Sequence, residues 1–96
     1  MDKQALLRLL RAHMPTLAKT FGVAELAVFG SVARGQEDEH SDIDLLVRFD
    51  GPATSARYFG LQFYLEDLTG KPVDLVTDKA LRSELRPVVE REALSV

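Results

Sequence analysis

Two short stretches hold the residues whose types and spacing can do chemistry. The first is Gly30-Ser31, followed by Val32-Ala33-Arg34-Gly35, and it comes directly after the apolar run at residues 25–29. The second is Asp42-Ile43-Asp44, at the mouth of the apolar run Leu45-Leu46-Val47. Side chains alternate across a strand, so Asp42 and Asp44 share one face while Ile43, Leu45 and Val47 point to the other. Aspartate is disfavoured in apolar strands, so two on one face need a reason, and Asp74, at the start of a third apolar stretch, adds another. Three carboxylates brought within several ångströms repel, and without cations at least one resists ionisation.

Divalent metal relieves that repulsion, and Mg²⁺ favours carboxylate, phosphate and water oxygens. Two ions held by Asp42 and Asp44 could stabilise both the entering and the leaving oxygen of an in-line displacement at phosphorus. Asp74 would hold one of them and could take the proton of the incoming hydroxyl. Glycine at position 30 permits close approach of backbone to phosphate, and the Ser31 hydroxyl adds a donor. Arg34 could neutralise triphosphate oxygens or brace the acidic loop behind it. Neither GxxxxGK[ST] nor GxGxxG is present, so this is not one of the commoner phosphate loops.

The elements that must position these residues follow from periodicity and punctuation. Leu6, Leu7, Leu10, Met14 and Leu17 recur at helical spacing from Asp2 to about Lys19, with Pro15 expected to kink or end that helix near Met14. Gly22 allows a sharp exit into a first strand over residues 25–29. One helical turn over residues 31–34, a polar acidic loop over residues 36–40, and a second strand over residues 42–49 come next. Asp50-Gly51-Pro52 is a turn. Thr54 or Ser55 then caps a helix to about Leu68, with Tyr58, Leu61, Phe63, Leu65 and Leu68 as candidate buried positions. Gly70 and Pro72 stop it. Residues 73–76 form a third strand, and Thr77 or Asp78 caps a last helix through Leu81, Leu85, Val88 and Val89, bent or split at Pro87.

The fold class is therefore α/β (α+β): a small mixed β-sheet covered by helices. If Ser31 and Asp42 share a site, the first two strands are antiparallel; a helical crossover makes the second and third parallel. Residues 1–96 are expected to form a single domain.

Charge narrows the function. The net charge of −3 is the balance of +3 over residues 1–20, −5 over residues 21–50 and −1 over the rest, so the negative surplus sits around the candidate site. Duplex-DNA binding relies on basic residues neutralising phosphates, and an acidic centre argues against it. The chain has no cysteine, which excludes thiolate chemistry and disulfides and fits a reducing compartment. With no apolar run near the ~20 residues of a membrane span, a soluble, cytoplasmic protein without a membrane partner is expected. His13 and His40 read as surface residues. Tyr58, Phe59, Phe63 and Tyr64 read as core or interface rather than a base-stacking platform.

The string Gly30-Ser31-Val32-Ala33-Arg34-Gly35, with Ser41-Asp42-Ile43-Asp44-Leu45-Leu46-Val47 and then Lys71-Pro72-Val73-Asp74-Leu75-Val76, closely resembles the signature of the DNA polymerase β-like nucleotidyltransferase superfamily. Within it the chain looks most like the minimal nucleotidyltransferases, the MNT or MntA-like group, often encoded as antitoxins beside a HEPN-domain toxin. The resemblance implies the polymerase β-like nucleotidyltransferase fold. It also implies transfer of AMP from ATP to a partner's hydroxyl, typically a tyrosine of the HEPN toxin, with pyrophosphate leaving. Carried over residue by residue, Gly30 and Ser31 would bind triphosphate, Asp42 and Asp44 would bind Mg²⁺, and Asp74 would hold metal and activate the nucleophile. A non-catalytic antitoxin acting by burial of its toxin, and a nucleotidyltransferase for a small molecule or RNA end, are the alternatives.

Overall fold

Alternation of apolar and polar residues sets the sheet, and the helices cover the face that alternation makes apolar. The computed structural model describes residues 2–36, 38 and 40–96; Met1, Glu37 and Glu39 lie outside them, so the expected acidic loop is described only in part. Along the chain come α1 (Lys3–Phe21), β1 (Val23–Phe29), α2 (Gly30–Arg34), β2 (Ile43–Phe49), α3 (Ser55–Thr69), β3 (Val73–Thr77), α4 (Arg86–Glu92) and β4 (Leu94–Ser95). The strands form one sheet in the order β3-β2-β1-β4. β2 runs antiparallel to β1 and parallel to β3, as the placement of the chemistry required, and α3 makes the crossover.

In β2, Ile43, Leu45, Val47 and Phe49 are buried on the helix-covered face, while Asp44 and Leu46 are half-buried and Arg48 is exposed on the other. Leu26 and Val28 of β1 and Val73 and Leu75 of β3 join the buried set, against Leu6, Leu10 and Leu17 of α1 and Leu61 and Leu65 of α3. Burying each such side chain is worth about 1.5–3 kcal/mol. The consequence for function is a two-layer arrangement, with α1 and α3 on one face and the carboxylates on the other.

Capping accounts for the helix ends. The Asp2 carboxylate accepts from the Ala5 N–H at 2.8 Å and starts α1, and the Thr54 hydroxyl accepts from the Arg57 N–H at 3.2 Å and starts α3. Gly70, at φ +70°, closes α3 with its N–H donating to the Glu66 carbonyl.

Three expectations need correction. Pro15 does not end the first helix, which runs on to Phe21. The proline is exposed, so the lost N–H falls on the solvent side, and full burial of Leu17 beyond it offsets a cost of about 3 kcal/mol. The last helix does not begin at Thr77. Residues 78–85 form turns, and Pro87 sits in the first turn of the short α4, where a missing N–H costs nothing. Phe63 is 65% exposed rather than buried, and Phe59 is 50% exposed; the buried stripe of α3 runs through Leu61 and Leu65 instead. At the end of the chain, Leu94 and Ser95 form β4, which pairs with Val28 and Ala27 of β1.

Candidate active site

The site begins where β1 ends. In the strand register Phe29 stands opposite Asp44, and Asp44 stands opposite Asp74, so three neighbouring strands deliver their residues to one row on the open face. Gly30 follows Phe29 at φ +73°, a conformation side chains rarely adopt. A Cβ at this position would lie 2.0 Å from Asp44 Oδ2 and 2.8 Å from its Cγ. Glycine is thus required twice, by the backbone and by the carboxylate packed against it. Ser31, half-buried, follows in α2, which puts its hydroxyl at the same end of the sheet.

Asp42 lies one residue ahead of β2 and is exposed, as is Asp74. Among the described residues ahead of it, Asp38 Oδ1 accepts from the His40 N–H at 2.8 Å and from the Ser41 hydroxyl at 3.3 Å, an Asx-type arrangement that gives the backbone a local partner. The Ile43 N–H then donates to the Pro72 carbonyl at 3.0 Å, which locks the entry of β2 to that of β3 and brings Asp42 toward Asp74.

Electrostatics mark Asp44 as the strained member. Burial raises its pKa first, followed by the neighbouring Asp74 charge, a hydrogen bond with Asp74 that favours the protonated form, and the Asp42 charge, to about 6 from an ordinary 3.8; Arg34 pulls the other way. The sequence-based expectation that one carboxylate of the set resists ionisation fits this finding.

The donor set fits a hard divalent cation, since only oxygens converge here and Asp44 is held in a state that positive charge would relieve. Among the described residues no group of three or more His, Cys, Asp or Glu side chains is placed to hold a metal ion. The adjacent Asp44 and Asp74 carboxylates match the one or two that Mg²⁺ commonly takes from protein, its remaining oxygens coming from water and substrate phosphates.

Arg34 does not stand free beside the site. Its Nη1 pairs with Glu92 Oε2 at 3.1 Å and its Nε donates to Gln36 Oε1 at 3.0 Å, tying α2 to α4. Glu92, 58 residues away, carries no sequence signal that could have found it. Sequence reasoning also missed a cavity of about 520 Å³ further along the open face, lined by Ala27, Leu46, Arg48, Arg86 and Glu90 among others. His13, read as a surface residue, is half-buried with its Nδ1 2.8 Å from the Tyr64 hydroxyl.

With this geometry in place the comparisons are informative. Residues 8–95 match the family described as the nucleotidyltransferase domain. This chain belongs to that family. The minimal nucleotidyltransferase reading agrees with a protein adenylyltransferase, MntA, of Thermococcus cleftensis, which is 42% identical over 88 residues, covering 92% of this chain and 89% of the relative. A solved structure described as a minimal nucleotidyltransferase superposes with a TM-score of 0.84 at 41% identity, covering 100% of this chain and 97% of that one. A toxin–antitoxin structure solved with AMP-PNP shares the fold, with a TM-score of 0.70 at 22% identity over 99% of this chain and 72% of that one. As a nucleotidyltransferase, the chain shares its fold with both of these structures.

Proposed function

We propose that this minimal nucleotidyltransferase is an antitoxin that transfers AMP from ATP to a tyrosine hydroxyl of a HEPN-type partner toxin. The observation that carries the reading is the convergence of Gly30, Asp44 and Asp74 at one end of the open face, with Asp44 pressed against the glycine and pushed up to about 6. The named relative and the AMP-PNP-bound structure support the reaction class and the nucleotide.

The Gly30 backbone and the Ser31 hydroxyl hold the triphosphate, with Arg34 as a further contact once it leaves Glu92. Asp42, Asp44 and Asp74 supply the oxygens for Mg²⁺, two ions in the full site. A metal held there would supply neutralisation of charge on the phosphates and acidification of the attacking hydroxyl. Asp74 accepts the hydroxyl proton. The acceptor oxygen bonds to the α-phosphorus as the bond to the α,β-bridging oxygen breaks, and pyrophosphate leaves with that electron pair. AMP remains on the acceptor.

The test uses ATP labelled at the α-phosphate or the γ-phosphate, with Mg²⁺ and the partner toxin. The expected result is α-label on the partner and γ-label in pyrophosphate. Asp74→Asn should lower the rate by about 10²–10⁴-fold, the usual contribution of a positioned base. Undiminished transfer by Asp74→Asn would remove it from the chemistry.

A further inference from the structure

The strand that carries Asp74 lies at the edge of the sheet. Its order gives β3 a neighbour in β2 on one side and, among the described residues, no strand on the other, and such an edge presents unpaired backbone groups to whatever lies beside it. Here α3 lies beside it. The Glu66 carboxylate accepts from the Val73 N–H at 3.0 Å, the Gln62 side-chain amide donates to the Val73 carbonyl at 3.1 Å, and the Tyr58 hydroxyl donates to the Leu75 carbonyl. Tyr58, Gln62 and Glu66 recur at every fourth residue, so they line one flank of the helix, next to the buried Leu61 and Leu65. All three are half-buried, and each reaches backbone of β3.

This ladder of three side chains brackets Asp74. Val73 and Leu75 turn backbone groups out to α3 and bury their side chains in the core. Between them Asp74 faces the opposite way, across from Asp44 of β2. On the inner side, the Ile43 N–H bond to the Pro72 carbonyl at 3.0 Å holds the entry of the same strand. Asp74 is exposed, so packing does not fix its carboxylate; the backbone beneath it does. Removing a member of the ladder leaves a backbone group of the edge without its partner and frees the strand to shift, and a misplacement of about 1 Å at a reacting group can cost about 10²-fold in rate.

Resting on the reading of Asp74 given above, we propose that Tyr58, Gln62 and Glu66 are positioning residues for it. By pinning the outer edge of β3 they keep the Asp74 carboxylate beside Asp44, where a metal ion and the acceptor hydroxyl can reach it. The ladder acts through the strand and touches no reactant.

The test pairs turnover with a readout that needs none. Gln62→Met, which keeps the length of the side chain and removes the donor, should lower kcat for transfer to the partner at least tenfold, with the KM for ATP within twofold. In an Asp74→Asn background the same change should add nothing, since no carboxylate is left to position. Glu66→Gln keeps an acceptor for the Val73 N–H and should hold kcat within twofold, whereas Glu66→Ala should not. Thr54→Ala removes the cap of the same helix, controls for lost stability, and should leave kcat within twofold. Mn²⁺ affinity without nucleotide, read from the free-ion electron paramagnetic resonance signal, should weaken at least fivefold in Gln62→Met and stay unchanged when Asp74→Asn is already present. Equal losses in both backgrounds, in kcat or in Mn²⁺ affinity, would make the ladder a support of the fold alone and overturn the proposal. An equal fall in kcat for Thr54→Ala would overturn it as well. Should the wild type transfer no AMP, the functional proposal fails, and the Mn²⁺ affinities still decide the ladder.

Discussion

Asp44 is where folding and function pull apart. It is half-buried against Gly30, beside two other carboxylates, and a folded-state pKa of about 6 against 3.8 means that the native state binds this proton more tightly than the unfolded chain does. The stability it contributes is present below about pH 4 and is lost as pH rises through 6. Without cations, Asp44→Asn should therefore melt higher than the wild type at pH 7 and show little difference at pH 4; calorimetry at the two pH values checks this, and each kcal/mol corresponds to roughly 4–8 °C in a domain of this size. Gly30→Ala should do the reverse. A side chain at φ +73° with its Cβ 2.0 Å from Asp44 should cost roughly 1–3 kcal/mol and displace the carboxylate, so transfer falls further than the loss of folded protein explains. Both residues were legible in the sequence from their types and spacing. Their contact was not, because a two-residue motif says nothing about which carboxylate the glycine must clear.

At the scale of elements, strand alternation and helical spacing were legible, and the failures came where burial overrode a local rule. Pro15 reads as a breaker, yet α1 continues because Leu17 is buried beyond it. Pro15→Ala should restore the missing N–H and stabilise the protein by about 1–3 kcal/mol, measurable as a shifted urea midpoint at unchanged slope. The region from Asp78 to Leu85 was misread for the opposite reason: its leucines keep helical spacing, but Leu85 is 49% exposed and gives a helix nothing to pack. The link between α2 and α4 could not be read at all, since Arg34 and Glu92 meet only through the fold. Their ion pair is partly solvated and is worth about 1 kcal/mol or less. Glu92→Gln should accordingly leave the melting temperature within a few degrees, while releasing Arg34 for the triphosphate and lowering the KM for ATP; a raised KM would show that Glu92 holds Arg34 in its working position.

Over the whole molecule, one face of the sheet is given to the core and the other to chemistry. No residues of the described chain build a separate lobe over the open face; α4 and β4 flank it. The carboxylate row stays uncovered at one end of the open face, with Asp42 and Asp74 exposed and Asp44 half-buried. On the proposed function, neutralisation of the partner runs through transfer at Asp42, Asp44 and Asp74 rather than through coverage of the partner's surface. Its most direct measurement is the intact mass of the toxin, and its residual activity, after incubation with Mg²⁺·ATP and either the wild type or the Asp42→Asn, Asp44→Asn double variant. Wild-type protein should add AMP to a tyrosine and leave a toxin that stays inactive after separation, whereas the double variant should add no mass and leave the separated toxin active. Full and lasting neutralisation by the double variant, with no mass added by the wild type, would contradict the proposed function.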